Sequence, residues 1–153
     1  MVNPIPKEYP QVSPYLCCDD ASGEIEFCCT VFDAKERTRM PMPGGKIGHC
    51  ELQIGDSVIM LSDEMPEMGI RGPKSIGGTP VTLSVYVADV DECFDKALKA
   101  GATMVRAVED QFYGDRSGQF LDPCGHRWSV ASHIEDVSPD EMQRRAAEVT
   151  GGS

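Results

Sequence analysis

Apolar and polar positions change period along the chain in an order that occurs twice. Pro14-Tyr15-Leu16-Cys17-Cys18 is a short apolar segment that suits a strand. Asp19-Asp20-Ala21-Ser22-Gly23 supplies helix-capping chemistry, and Ile25, Phe27, Cys28, Val31 and Phe32 follow at helical spacing. A polar strand over residues 36–40 gives way to the turn Pro41-Met42-Pro43-Gly44-Gly45. Residues 48–54 alternate, Gly55-Asp56 makes a tight hairpin turn, and residues 57–61 return. The order is strand, helix, strand, strand, strand.

After a loop rich in Met, Gly and Pro, the same order comes again. Residues 81–87 alternate as a strand. Asp89-Val90-Asp91-Glu92 caps a helix whose apolar positions are Cys93, Phe94, Ala97 and Leu98, and Lys99-Ala100-Gly101 ends it. Strands follow at 104–108, 118–121 and 126–131, separated by the turns Tyr113-Gly114-Asp115 and Asp122-Pro123-Cys124-Gly125. A constant offset of 69 residues lays Thr82 on Ser13, Asp89 on Asp20, Arg106 on Arg37, Leu121 on Leu52 and Trp128 on Ile59. That is the signature of a duplicated supersecondary unit. The expected organisation is an extended arm at 1–12, a first βαβββ module at 13–62 and a connecting loop at 63–80. A second module at 81–133 and a C-terminal helix and tail at 134–153 complete it. The capping box Ser138-Pro139-Asp140-Glu141 opens that last helix.

One helix covers only one face of a four-stranded sheet. Strand alternation puts Leu16, Cys18, Leu52, Ile54, Ile59 and Leu61 under the first helix. It puts Tyr15, Cys17, His49, Glu51, Gln53, Val58 and Met60 on the other face. In the second module Leu83, Val85, Trp128 and Val130 face the helix, and Thr82, Ser84, Tyr86, Arg127 and Ser129 face away. Two such sheets side by side predict an α+β fold, a curved mixed sheet around a central trough lined by His, Glu, Arg and Tyr.

Composition narrows the function classes. With 153 residues and 41% hydrophobic content, the chain can bury a substantial core. The net charge of −11 opposes nucleic-acid binding, since phosphates would be repelled, and would favour a cationic guest. No run approaches the roughly 20 apolar residues of a membrane span, and the N-terminus has no apolar signal run. The reading is a cytoplasmic protein without membrane contact. The seven cysteines are odd in number and show no Cys-x-x-Cys or Cys/His zinc spacing, so they read as small buried hydrophobes in a reducing compartment.

Two tandem βαβββ units resemble the vicinal oxygen chelate superfamily, which includes glyoxalase I, bleomycin-resistance proteins, fosfomycin-resistance enzymes and extradiol dioxygenases. Several segments are similar to its PhnB-like branch: Pro14-Tyr15-Leu16, His49-Cys50-Glu51-Leu52-Gln53-Ile54-Gly55-Asp56-Ser57, Met60-Leu61-Ser62-Asp63-Glu64 and Asp122-Pro123-Cys124-Gly125-His126-Arg127-Trp128. The resemblance implies a divalent metal held by the first and last strands of each unit. Those positions are here Ser13, Met60, Thr82 and Ser129. Hydroxyls and a thioether do not make a site for Ni, Zn, Mn or Fe, so no cofactor is expected and a divalent metal is disfavoured.

The candidate ligand-binding residues are Tyr15, His49, Glu51, Met60, Ser84, Tyr86, Tyr113, Arg116 and Arg127. His49 and Glu51 stand two apart on one strand, as a polar grip, as an acid/base pair, or as a hydrogen-bonded pair that orders the sheet. Arg116 is read either as turn chemistry or as a cation at the lip of the trough. Arg127 calls for a carboxylate, with Glu51 the obvious internal partner. The methionines fill gaps or suit apolar ligands. Three functions stay open: a metal-free small-molecule binder in a homodimer, a glyoxalase-like lyase or isomerase using His49 and Glu51, and a non-catalytic structural or regulatory dimer.

Overall fold

The architecture is that of a computed structural model, which describes residues 2–151. The first module comprises β1 (Tyr15–Cys18), α1 (Ala21–Phe32), β2 (Lys35–Pro41), β3 (Ile47–Ile54) and β4 (Ser57–Asp63). A connector carries α2 (Pro73–Ile76). The second module comprises β5 (Thr82–Tyr86), α3 (Val90–Lys99), β6 (Thr103–Asp110), β7 (Asp115–Leu121) and β8 (Arg127–His133), and α4 (Pro139–Gly151) closes the chain. The sheets run β1-β4-β3-β2 and β5-β8-β7-β6. In each, the first strand is parallel to the last and the other pairings are antiparallel. The α+β class and the duplication are as the hydrophobic pattern predicts. Among the described residues, no helix is long and apolar enough to cross a membrane.

The repeat is visible in the capping and in the irregularities. Asp20 accepts from the Gly23 amide and Asp89 from the Glu92 amide, both at 3.1 Å, so the two helices start alike. A bulge interrupts β2 between Glu36 and Thr38 and β6 between Met104 and Arg106. The ungapped alignment fails in the middle strands, however. Leu52 pairs with Ile59 and Phe120 with Trp128, so Phe120, not Leu121, takes the place of Leu52. By the same register Arg106 answers to Thr38 rather than to Arg37. The second module is one residue shorter ahead of β6. It regains that residue in its final turn, where five residues separate paired Leu121 and Arg127 against four between Gln53 and Val58.

The helix-bearing faces of the two sheets share one core. The Phe32 ring of α1 lies 4.5 Å from Trp128 and 6.4 Å from Phe120 on the second sheet. Phe27 and Phe94 approach the same Phe120 at 5.9 and 5.7 Å. On its other side α1 covers Leu16, Cys50, Leu52 and Leu61 of its own module, in the same buried cluster. Hydrogen bonds between the modules run from Cys93 Sγ to Val31 O, from Cys124 Sγ to Asp20 O and from the His126 ring to Cys17 O. None joins one open sheet face to the other among the described residues. The expected trough is therefore present in one chain as two separate open faces, because the apolar faces have turned toward each other.

The long connector is not structureless. Glu64 accepts from the Gly72 amide at 2.7 Å and from Ser75 Oγ, which ties α2 back to the end of β4. At the C-terminus Ser138 caps α4 through the Glu141 amide, but Glu141 turns forward to Arg144 and Arg145 instead of completing a capping box. Gly114, at φ 99°, accepts the amides of Ile134 and Glu135 on its carbonyl. A Cβ there would lie 2.2 Å from Glu135 O, so only glycine lets this segment dock.

Phe32→Ala is expected to lower stability by about 3–5 kcal/mol in denaturant unfolding, and the wild type to unfold in a single transition. Two separate transitions would show that the shared aromatic core does not couple the modules.

Candidate binding face

The open face of the first sheet carries a continuous row of hydrogen bonds. Alternation along β3 points His49 and Glu51 the same way, and the two meet at 2.9 Å through His49 Nε2 and Glu51 Oε2. The Tyr15 hydroxyl contacts His49 Nδ1 at 2.7 Å, with the rings 5.4 Å apart. From the N-terminal arm, Tyr9 donates to Glu51 Oε1 at 2.7 Å, and the Arg37 guanidinium stacks 4.6 Å over the Tyr9 ring. A neutral imidazole with its proton on Nε2 satisfies both neighbours, donating to Glu51 and accepting from Tyr15.

Glu51 is only 6% exposed. The His49 bond holds its carboxyl below the usual range, burial opposes this, and the Tyr9 bond and the Arg37 charge add to the lowering. Burial pushes the Tyr15 phenol up, which keeps it protonated as a donor. Met60 pairs in register with both Tyr15 and Glu51 and supplies a half-buried apolar floor.

On the second sheet the corresponding places are held by other side chains. The strand registers put Ser84 where Tyr15 stands, Ser117 where His49 stands and Gln119 where Glu51 stands. The row therefore does not recur at the equivalent positions. Near the far end of this face Tyr86 donates to Asp115 at 2.7 Å, and Asp115 meets His133 at 2.9 Å. Asp115 and Asp136 together raise the His133 imidazole above its ordinary value. Sequence spacing pointed to none of Tyr9, Arg37, Asp115 or His133. Tyr9 and Glu51 lie 42 residues apart, so no local signal joins them.

Two expected partners are corrected. Arg127 does not pair with Glu51: the two stand on different sheets, Glu51 is satisfied by His49 and Tyr9, and Arg127 Nε is buried without a partner among the described residues. Arg116 is not at the lip of a trough. Strand alternation sends it to the helix side, where it clamps Asp91 of α3 at 2.9 and 3.0 Å and Asp110 at 3.0 Å. Tyr113 packs edge-on against Phe112 at 5.2 Å in the neighbouring turn.

The four metal positions fail on donor chemistry. Ser13 has a buried Oγ without a partner, Met60 offers a thioether, and Thr82 and Ser129 offer hydroxyls. They are also divided between two open faces that do not meet within the chain. The residues present do not fit a divalent ion of the vicinal oxygen chelate kind.

A βαβββ duplication whose modules each expose one polar sheet face defines a class, and the comparisons agree. Residues 11–130 match the model of the Glyoxalase/Bleomycin resistance protein/Dioxygenase superfamily, and the chain belongs to that superfamily. It is 47% identical over 137 residues to the uncharacterized protein Mb0911c of Mycobacterium bovis, covering 88% of this chain and 90% of that one. Among solved structures it is similar to TioX from Micromonospora sp. ML1, at 28% identity, a TM-score of 0.62 and coverage of 80% and 99%. A PhnB protein from Bacillus cereus shares the fold at 14% identity and a TM-score of 0.63, covering 80% of this chain and 99% of that one. So does the fosfomycin resistance protein FosX of Mesorhizobium loti, at 17% identity and a TM-score of 0.60, covering 86% and 95%.

Because the folded Glu51 pKa is depressed, its contribution is fully present above the unfolded value of about 4.3 and is lost as pH falls through the folded value. Acid unfolding of Glu51→Gln is expected to show a shallower loss of stability below about pH 4.3 than the wild type. Equal pH slopes would show that the row does not hold Glu51 ionised. Arg116→Ala is expected to shift the unfolding midpoint little, since its ion pairs are solvent-exposed, and to leave any ligand affinity unchanged.

Proposed function

We propose that the protein is a metal-free binding module of the bleomycin-resistance type. It holds a small, partly apolar molecule against Tyr15, His49, Glu51 and Met60. A second copy, in a homodimer, supplies the opposite wall through Ser84, Tyr86 and Arg127. The observation that carries this reading is the Tyr9–Glu51–His49–Tyr15 row beside Met60, on a face whose metal positions hold no competent ligand. It offers fixed polar contacts around an apolar floor, which is how small-molecule sites orient their guests. The dimer is supported by the two open faces that one chain leaves apart. The net charge of −11 favours a cationic guest.

A specific observation also supports an enzymatic reading. His49 bridges an ionised carboxylate and a phenol, which is the arrangement of a proton relay. A lyase or isomerase of the glyoxalase kind would use His49 and Glu51 as its acid/base pair.

Thermal-shift measurements with cationic glycopeptide antibiotics, thiol conjugates and metabolites, on chelator-treated protein, test the leading reading. A true ligand at a hundred times its Kd stabilises by about 2.7 kcal/mol, and Glu51→Gln or His49→Phe is expected to weaken it at least tenfold. A ligand bound equally well by both variants overturns the site. Sedimentation is expected to show a dimer, and a monomer at micromolar concentration overturns the two-copy trough. Turnover of a hemithioacetal probe that falls about a hundredfold or more in His49→Ala would move the enzymatic reading ahead. An intact dimer that answers no ligand class would favour a structural or regulatory role.

A further inference from the structure

Away from the open faces, metal-ligating side chains from both modules meet in the core. Cys18 of β1, Glu24 of α1 and Cys124 of the β7–β8 turn place their ligand atoms within 4.8 Å of one another, all buried. Cys18 Sγ lies 4.0 Å from Glu24 Oε2. Glu24 is 0% exposed, and its Oε1 has no hydrogen-bond partner among the described residues. A carboxyl oxygen left this way in a core is costly and is answered either by a proton, which Asp122 beside it would share, or by a cation. No Lys or Arg side chain forms an ion pair with it among the described residues.

We propose that Cys18, Glu24 and Cys124 form a structural site for a thiophilic divalent cation, zinc foremost, that staples the two modules together. The site is distinct from the open face and stands whether or not that face binds a ligand. Two thiolates and a carboxylate are a zinc donor set, and tetrahedral zinc places such donors about 3.5–3.8 Å apart. The observed spacing needs only a small contraction. Asp122 stands beside Glu24, outside the three-ligand group. Its carboxylate is already oriented by the amides of Cys124 and His126 and by the Trp128 indole, at 2.8–3.0 Å. Those bonds are the outer support that metal sites use to fix their ligands. Without a cation, the neighbouring Cys124 and burial push the Cys18 thiol up, and burial and Asp122 push the Glu24 carboxyl well up. A dication reverses that preference by binding the deprotonated forms and releasing their protons to solvent. The ligands lie at positions 18, 24 and 124, which is why no zinc spacing appears in the sequence.

The buried position means that the metal enters during folding, so the full chain is expressed in cobalt-supplemented minimal medium and purified under reducing conditions. One cobalt per chain is expected, with thiolate-to-cobalt absorption in the near ultraviolet and strong tetrahedral bands in the red. Cys17→Ser/Cys29→Ser, which alters two half-buried thiols elsewhere, keeps those bands. Cys18→Ser/Cys124→Ser loses them. Glu24→Gln, nearly isosteric and checked for folding by circular dichroism, is expected to retain cobalt at least tenfold less tightly against a competing chelator. Folded wild-type protein without thiolate–cobalt absorption overturns the site. So do bands that survive in Cys18→Ser/Cys124→Ser, undiminished cobalt retention in folded Glu24→Gln, or a Cys18–Cys124 disulfide found by peptide mapping.

Discussion

The position of Phe32 sets the rest of the molecule. Its ring meets Trp128 at 4.5 Å, so the first helix serves as core for both sheets at once. An amphipathic sheet has one face to bury, and here both sheets bury it in the same place. Large aromatic side chains dominate such cores, and Phe27, Phe32, Phe94, Phe120 and Trp128 form one contiguous group. The consequence is geometric. Once the helix-bearing faces are joined, the remaining two faces cannot also enclose a cleft within the chain. A site walled by both open faces must borrow one of them.

The first of those open faces is costly to keep as it is. A carboxylate that is 6% exposed loses most of its hydration, and only good hydrogen bonds offset that loss. Glu51 has two, from His49 and Tyr9, with Arg37 nearby in support. The second module, built on the same registers, puts Ser84, Ser117 and Gln119 in the equivalent places and holds its own buried carboxylate, Asp115, further along the face with Tyr86 and His133. Duplication gave two frames, and each was furnished with a Tyr–carboxylate–His group at a different place.

Most of the fold was legible because it is written in local period. Helical spacing in α1 and α3, the Asp20 and Asp89 caps and the hairpin at Gly55-Asp56 are near-neighbour signals, and each is where it was expected. Errors came where a compensated change hid from a constant offset: one residue lost ahead of β6 and one gained before β8 shift the middle strands alone. Arg116 reads as part of a turn, with the strand starting at 118, whereas β7 starts at Asp115 and its parity sends Arg116 to α3. His49 and Glu51 could be picked out as a pair from their spacing. Tyr9, Arg37 and the Cys18–Glu24–Cys124 group could not, because their contacts join segments between 6 and 106 residues apart and depend on how two modules turn against each other.

The edges say how a second wall would be recognised. β1 and β5 are edge strands, and exposed edges invite indiscriminate pairing. Both are short, four and five residues, and the segments entering them carry Pro14 and Pro80, which cannot donate to a ladder. The His126 ring also occupies the Cys17 carbonyl on β1, at 2.9 Å. Backbone pairing along these edges is therefore blunted. Of the sheet edges that leaves β2 and β6, and across the open faces a partner meets side-chain chemistry: an acidic, hydrogen-bonded row on one face and, on the other, the half-buried Arg127. Attraction between those two faces would select a copy of this chain in one orientation, and a guest between them would be held by both.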